Sequence, residues 1–213
     1  MNSTKTALFA LGLFFALIAL PPALAATAVA SDVEELHGGV TKDCGDGKTG
    51  SKLGAKWLSF PVTTSISAPN GYVAAIRAAF ATWDAEEHPA GPFFSEQAAS
   101  GQNIDVSFAP IDGPSNVLAR TSYSYNRFTK GFIEVNIVFD SAEAWTVYPG
   151  ISCSPQGNGI DVEAVAAHEI GHAVGLGHSS SSSALTMYPY YSSGATHQRT
   201  LATGDAKTFD SLY

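Results

Sequence analysis

The chain has 213 residues, 45% hydrophobic and 14% charged, with 11 Lys+Arg against 19 Asp+Glu for a formal charge of −8. That length suits one domain of ordinary size or two small ones, and so apolar a composition excludes a disordered tail. The acidic balance excludes a phosphate-backbone binder, so no nucleic-acid partner is expected, and two cysteines exclude a disulfide scaffold or a four-cysteine zinc site.

In chain order, the first segment reads as an export signal. Lys5 precedes an apolar run from Ala7 to Leu20, Pro21-Pro22 breaks it, and Ala23-Leu24-Ala25 offers a signal peptidase its small-x-small pattern. Ala28-Val29-Ala30 is a second possible cleavage site. A run of about 14 residues is short of the roughly 20 that span a bilayer, so removal is expected over anchoring. Residues 1–25 thus read as a signal peptide, and the mature chain is expected to be secreted, extracellular and free of the membrane; a monomer is also expected. An uncleaved signal would instead make it an anchored surface protein.

Residues 26–55 show no clear period and read as an extended leader wrapping a domain at 56–213. Trp57–Ser67 is β-branched and aromatic, a first strand. Asn70 is placed to cap a helix over Tyr72–Glu87, where Tyr72, Ile76, Phe80 and Trp83 form one apolar face. Ile104–Phe108, Val117–Ser122 and Ile133–Phe139 read as strands. Asp161 can cap a helix from Val162 to about Val174, Gly175 ends it, and a last short helix follows Thr203. This order predicts an α+β fold with helices packed on one mixed sheet.

Residues 168–178 read HEIGHAVGLGH. His168 and His172 stand four apart on a helix, so their imidazoles share a face and suit one zinc ion. Glu169 is placed to reach a water at the metal without binding the metal itself. On a continuous helix His178 would lie about 9 Å beyond His172 along the axis. Gly175, free to adopt positive φ, lets the chain turn so that His178 swings back as a third ligand. Three protein ligands leave a fourth position for water, the mark of a catalytic zinc. His37, His88 and His197 read as surface residues.

With Met187 following in ALTMYPYY, this segment resembles the metzincin zinc peptidases, and Val165–His178 with Ser179 behind it resembles the matrixins, the matrix metalloproteinase family. The resemblance runs over about 56–213, which implies a catalytic domain there, and no hemopexin-like domain is expected within these 213 residues. It implies a metzincin-like twisted mixed sheet of about five strands with three helices, the active-site helix being followed by a Met-turn at Met187. Leu185 and Thr186 depart slightly from the family's pattern at that turn. Tyr191 would line the pocket for the residue after the cut, and small Ala164 would leave that pocket deep. Asp112–Ala119 (DGPSNVLA) and Phe139–Thr146 (FDSAEAWT) resemble the family's calcium loop and the segment closing it. This implies calcium on the Asp112, Asp140 and Glu143 side chains and the Gly113, Ser115 and Val117 carbonyls, a hard-oxygen set. The histidines of the family's second zinc correspond to Arg120 and Val138, so one zinc is expected.

The resemblance implies a zinc metalloendopeptidase acting on proteins or peptides, with Glu169 as general base. Substrate would lie extended and antiparallel to an edge strand Asn116–Thr121, the Ala119 carbonyl holding the leaving-group side. A silent binding module with the same fold is the alternative. Cys44, in Lys42-Asp43-Cys44-Gly45-Asp46, has two readings. In the family a leader cysteine followed by glycine occupies the open zinc position; here Asp43 replaces the flanking arginine and the following proline is missing. The simpler reading in an exported chain is a Cys44–Cys153 disulfide.

Overall fold

A computed structural model of the protein describes residues 34–38, 45–86 and 91–213, the first of these segments in backbone only. The signal segment, Cys44 and His88 lie outside the described residues. The elements run β1 (Glu34–Gly38), β2 (Ser51–Lys52), β3 (Val62–Ile66), α1 (Asn70–Asp84), β4 (Phe94–Glu96), β5 (Ile104–Ala109), β6 (Val117–Tyr125) and β7 (Phe132–Asp140). There follow β8 (Trp145–Thr146), β9 (Ile160–Asp161), α2 (Val162–Ala173), β10 (Leu176–Gly177), β11 (Tyr190–Tyr191), a 3-10 turn at His197–Arg199 and α3 (Thr203–Asp210). This is the expected α+β architecture of three helices on a mixed sheet.

The sheet has seven strands in the order β11-β1-β6-β7-β5-β3-β4. The strands β4, β3, β5 and β7 are mutually parallel, and β6 runs antiparallel to β7. Val135, Ile137 and Phe139 of β7 point inward at every second position, the period that marks a half-buried strand. Two short pairs, β2 with β10 and β8 with β9, brace the loops around α2.

The helix α1 buries Ala75, Ile76, Ala79, Phe80 and Trp83, close to the apolar face read from the sequence. Its start differs: Pro69 holds the N-cap position and Asn70 is already helical, so no side chain caps this end. Every residue of α2 except Glu163 is buried. Such a helix has no solvent face, and its stability comes from packing on all sides rather than from amphipathic contrast. Trp83 Nε1 donates to the Ala167 carbonyl at 2.8 Å and Trp57 Nε1 to that of Ala173 at 2.8 Å, pinning α2 at two points.

Two expectations change. The segment without sequence period contributes two strands, β1 and β2, and β6 is not a sheet edge because β1 and β11 lie beyond it. Backbone pairing needs no side-chain pattern when both neighbours supply the ladder. The turn after α2 is as expected: Gly175 has φ +98°, and a Cβ there would lie 2.5 Å from the Ala55 carbonyl oxygen. Gly175→Ala therefore meets both backbone strain and a clash. It is expected to lower stability by about 2–3 kcal/mol, read as the urea unfolding midpoint.

Candidate metal centre and active site

The side chains of His168, His172 and His178 converge. Their Nε2 atoms form a triangle with edges of 3.1, 3.1 and 3.2 Å. His168 and His172 are fully buried on α2, and His178 arrives half-buried from beyond the Gly175 turn. The rings are oriented from behind. His168 Nδ1 lies 2.7 Å from the Thr186 carbonyl and His172 Nδ1 lies 2.9 Å from the Leu176 carbonyl. A carbonyl only accepts, so both Nδ1 atoms carry the proton and both Nε2 atoms present lone pairs. Burial and the neighbouring His178 push His168 down to about 3, and burial with both neighbouring histidines holds His172 well below the ordinary value.

Lone pairs turned on one another without a proton between them repel, and the arrangement makes sense around a cation. Zinc–nitrogen bonds of about 2.0–2.1 Å at tetrahedral angles put ligand nitrogens roughly 3.3 Å apart, close to the observed edges. The three imidazoles fit a zinc site, and among the described residues they are the group of potential metal ligands that converges.

Glu169 is completely buried, and its Oε2 accepts the Thr121 hydroxyl at 2.5 Å. That bond ties the acid on α2 to the strand β6 beside it. Beneath the histidines sits Met187, fully buried at the expected turn. A Cβ on Gly171, one position before His172, would fall onto the Met187 sulfur and within 2.8 Å of Trp83, so only glycine admits this packing. The Met187 carbonyl also accepts the Ser179 N–H at 2.9 Å, closing the loop behind His178.

Sequence reasoning missed Asp205, the third residue of α3 and completely buried. It accepts N–H from Thr186 at 2.8 Å, Met187 at 3.4 Å and Ala202 at 3.1 Å, so it holds the turn whose carbonyl orients His168. Burial raises its pKa against the lowering effect of those amides. Its signal in the sequence was only an acid in a first helical turn, which many exposed residues share. Thr186, part of the expected departure at the turn, is thus a supporting residue: its hydroxyl also donates to the Thr200 carbonyl at 2.9 Å.

Asp161 caps α2 as expected, accepting the Ala164 N–H at 2.9 Å. It is also gripped by Arg199, whose Nε and Nη2 reach its two carboxylate oxygens at 2.8 and 2.5 Å. Tyr191 is buried, its hydroxyl donating to the Ala195 carbonyl at 2.6 Å and accepting the Asp161 N–H at 2.9 Å. It lines a cavity of about 260 Å³ with Leu118, Ala144 and Ile160. Ala164 is buried but does not line that cavity, and Ala119 is buried on β6. The surface reading of His197 is corrected: it is buried, with Nε2 3.1 Å from the Ser183 carbonyl, and closes the serine loop from inside.

The acids expected at calcium gather around the 112–117 loop as acceptors for its own amides. Asp140 takes N–H from Asp112 and Gly113, each at 3.0 Å, Glu143 takes Ser115 N–H at 2.6 Å, and Asp112 takes Val117 N–H at 3.3 Å. Burial raises Asp140, but these and other backbone donors outweigh it and leave the pKa below its ordinary value. Cys153 is disulfide-bonded, and the chain's other cysteine is Cys44.

Asp205→Ala is expected to leave three inward N–H groups without their acceptor. The loss is about 3 kcal/mol of stability and about tenfold in zinc affinity, read by urea unfolding and competition with a chromogenic chelator.

The comparisons agree with this geometry. The family model described as Matrixin matches residues 56–213. Karilysin of Tannerella forsythia is 35% identical over 125 residues, 55% of this chain and 24% of that protein. Metalloendoproteinase 1 of Glycine max is 31% identical over 146 residues, 65% and 44% respectively, and human Matrilysin 37% over 105 residues, 49% and 34%. The chain therefore spans less than half the length of each of these relatives. With a match across the whole region that builds the histidine centre, the chain belongs to the matrixin family of metallopeptidases.

Proposed function

We propose that this chain is a secreted zinc-dependent endopeptidase that hydrolyses peptide bonds in proteins, with Glu169 as general base. The observation that carries the reading is the triangle of three Nε2 atoms, two of them on rings oriented by backbone carbonyls, next to a completely buried acid. His168, His172 and His178 would hold zinc, which when bound supplies a Lewis acid and brings the pKa of a water towards about 7.

Glu169 takes a proton from the attacking water and returns it to the leaving amine nitrogen. The Thr121 hydroxyl holds one carboxylate oxygen, so the acid keeps one orientation through both transfers. Leu118 and Tyr191 would receive the side chain that follows the cut, and the Ala119 carbonyl the leaving-group N–H. The export reading rests on residues 1–25; no described helix is long and apolar enough to cross a membrane. The domain boundaries follow the same proposal: signal 1–25, leader 26–55, catalytic domain 56–213. Cys153 would be tied to Cys44, pinning the leader to the loop ahead of α2.

Glu169→Ala is expected to keep stoichiometric zinc by atomic absorption and to lose at least about 10³-fold in casein hydrolysis. Wild-type turnover in that variant would end the mechanism. Calcium at Asp112, Asp140 and Glu143 is supported by the resemblance alone, since amides already engage these carboxylates. The expectation is a Tm several degrees higher in millimolar calcium than in EGTA; equal midpoints would remove calcium from the proposal.

A further inference from the structure

The turn between β6 and β7 carries Phe128, which at 87% is the most exposed of the large apolar side chains among the described residues. Arg127 and Lys130 flank it, both exposed, and the Lys130 ammonium lies 5.5 Å from the centroid of the Tyr125 ring. We infer that this tip docks the protein reversibly on an anionic lipid surface, Phe128 entering the headgroup boundary while Arg127 and Lys130 meet lipid phosphates. The inference stands independently of the peptidase reading. It replaces the expectation of a chain free of the membrane by one of peripheral contact, without a spanning segment.

The turn is closely tied, so the exposure of Phe128 is not that of a loose loop. Asn126 N–H donates to the Gly131 carbonyl and Lys130 N–H to the Asn126 carbonyl, each at 2.8 Å. The Asn126 side-chain oxygen accepts the Phe128 and Thr129 N–H groups at 2.9 and 3.1 Å, which fastens the backbone on both sides of the ring. Lys130 has φ +60°, a left-handed backbone that lysine seldom adopts. Leu58 and Ile133 are exposed as well and lie at the same end of the sheet. Lys56 bridges to Gly131, and Leu58 sits over that glycine, where a Cβ would fall 2.6 Å from the leucine Cδ1. Three of the six large apolar side chains exposed among the described residues thus gather here, whereas scattered single ones would need no explanation.

Charge decides the partner. The chain carries −8 overall, yet residues 47–83 and 113–133, the stretches that contain Leu58 and the tip, hold seven of its 11 Lys+Arg and none of its 19 Asp+Glu. Neither Arg127 nor Lys130 has an ion pair among the described residues. The nearest acid along the hairpin, Glu134, accepts from Asn136 Nδ2 at 2.8 Å. Cations around an apolar tip match a surface with phosphates outside and hydrocarbon beneath, since their stems lie along apolar material while the heads stay with the phosphates. A soluble polyanion would satisfy the cations and leave Phe128, Leu58 and Ile133 in water. A neutral bilayer would leave the cations without partners. One ring and two cations give weak, salt-sensitive binding rather than permanent anchoring. The turn begins five residues beyond Thr121, about 17 Å along the strand, so docking leaves the centre at Glu169 uncovered.

The test uses the full chain from Ala26, because the apolar signal segment would bind lipid by itself, and carries Glu169→Ala so that the chain stays intact. At low salt it is expected to sediment with vesicles of phosphatidylcholine containing about one third phosphatidylserine, and not with phosphatidylcholine alone. Adding Phe128→Ser is expected to lower the partition coefficient at least about fivefold, and Arg127→Glu with Lys130→Glu at least about tenfold. Both variants are expected to keep the parent's urea midpoint, since the altered side chains are exposed. In a Phe128→Trp variant the added indole emission is expected to shift to the blue on the anionic vesicles and to be quenched by lipids brominated on their acyl chains. Sedimentation unchanged in both variants, or equal on the two vesicle compositions, overturns the docking. Binding lost only in the charge variant, with no quenching in Phe128→Trp and with equal retention on soluble heparin, overturns the lipid surface in favour of a polyanion.

Discussion

Three imidazole nitrogens with their lone pairs turned on one another, about 3 Å apart and mostly cut off from water, form an arrangement no chain would adopt for packing alone. Neutral imidazoles in that position repel, and protonating His168 or His172 is opposed by burial and by the neighbouring rings. The structure around them acts as a frame that holds this costly geometry in place. Gly175 turns the chain so that His178 can return. The carbonyls of Thr186 and Leu176 lock the tautomers, and Asp205 holds the turn that carries Thr186. Met187 fills the floor that Gly171 leaves open.

The same frame explains why α2 is buried on nearly every side. A ligand-bearing helix with one solvent face could roll or fray, whereas this one is fixed by indole hydrogen bonds from Trp57 and Trp83. Its N-terminus is held by a buried Asp161 that Arg199 grips with two nitrogens. A buried charge pair of this kind gives little net stability but strongly disfavours other arrangements, because either partner left alone would be an uncompensated charge. The site thus stands on a helix whose position is over-determined, which a metal centre requires of ligands spaced to a few tenths of an ångström.

The leader changes how the sheet should be understood. Without β1, the outer side of β6 would present a row of unpaired amides and carbonyls beside the buried acid, and exposed edges of that kind invite any extended segment. Here the chain supplies its own, anchored on its C-terminal side by bonds to the serine loop, β10 and α3. Closure of the edge and docking of the leader are one structural feature.

Much of the centre could be read from the sequence because its determinants are local. Two histidines four apart share a helix face by geometry, a glycine at a fixed distance permits one kind of turn, and a short helix cap needs only Asp161. The apolar faces of α1 and β7 follow from periods of 3.6 and 2 for the same reason. Tertiary structure alone decided what depends on distant partners. Asp205 looks like any first-turn acid until Thr186 and Met187 arrive beneath it, and His197 looks exposed until the serine loop folds over it. The leader's strand has no pattern of its own because its order comes from backbone ladders offered by β6 and β11. Residues whose role is set by spacing along the chain were legible from spacing; those whose role is set by the groups they meet across the fold were not.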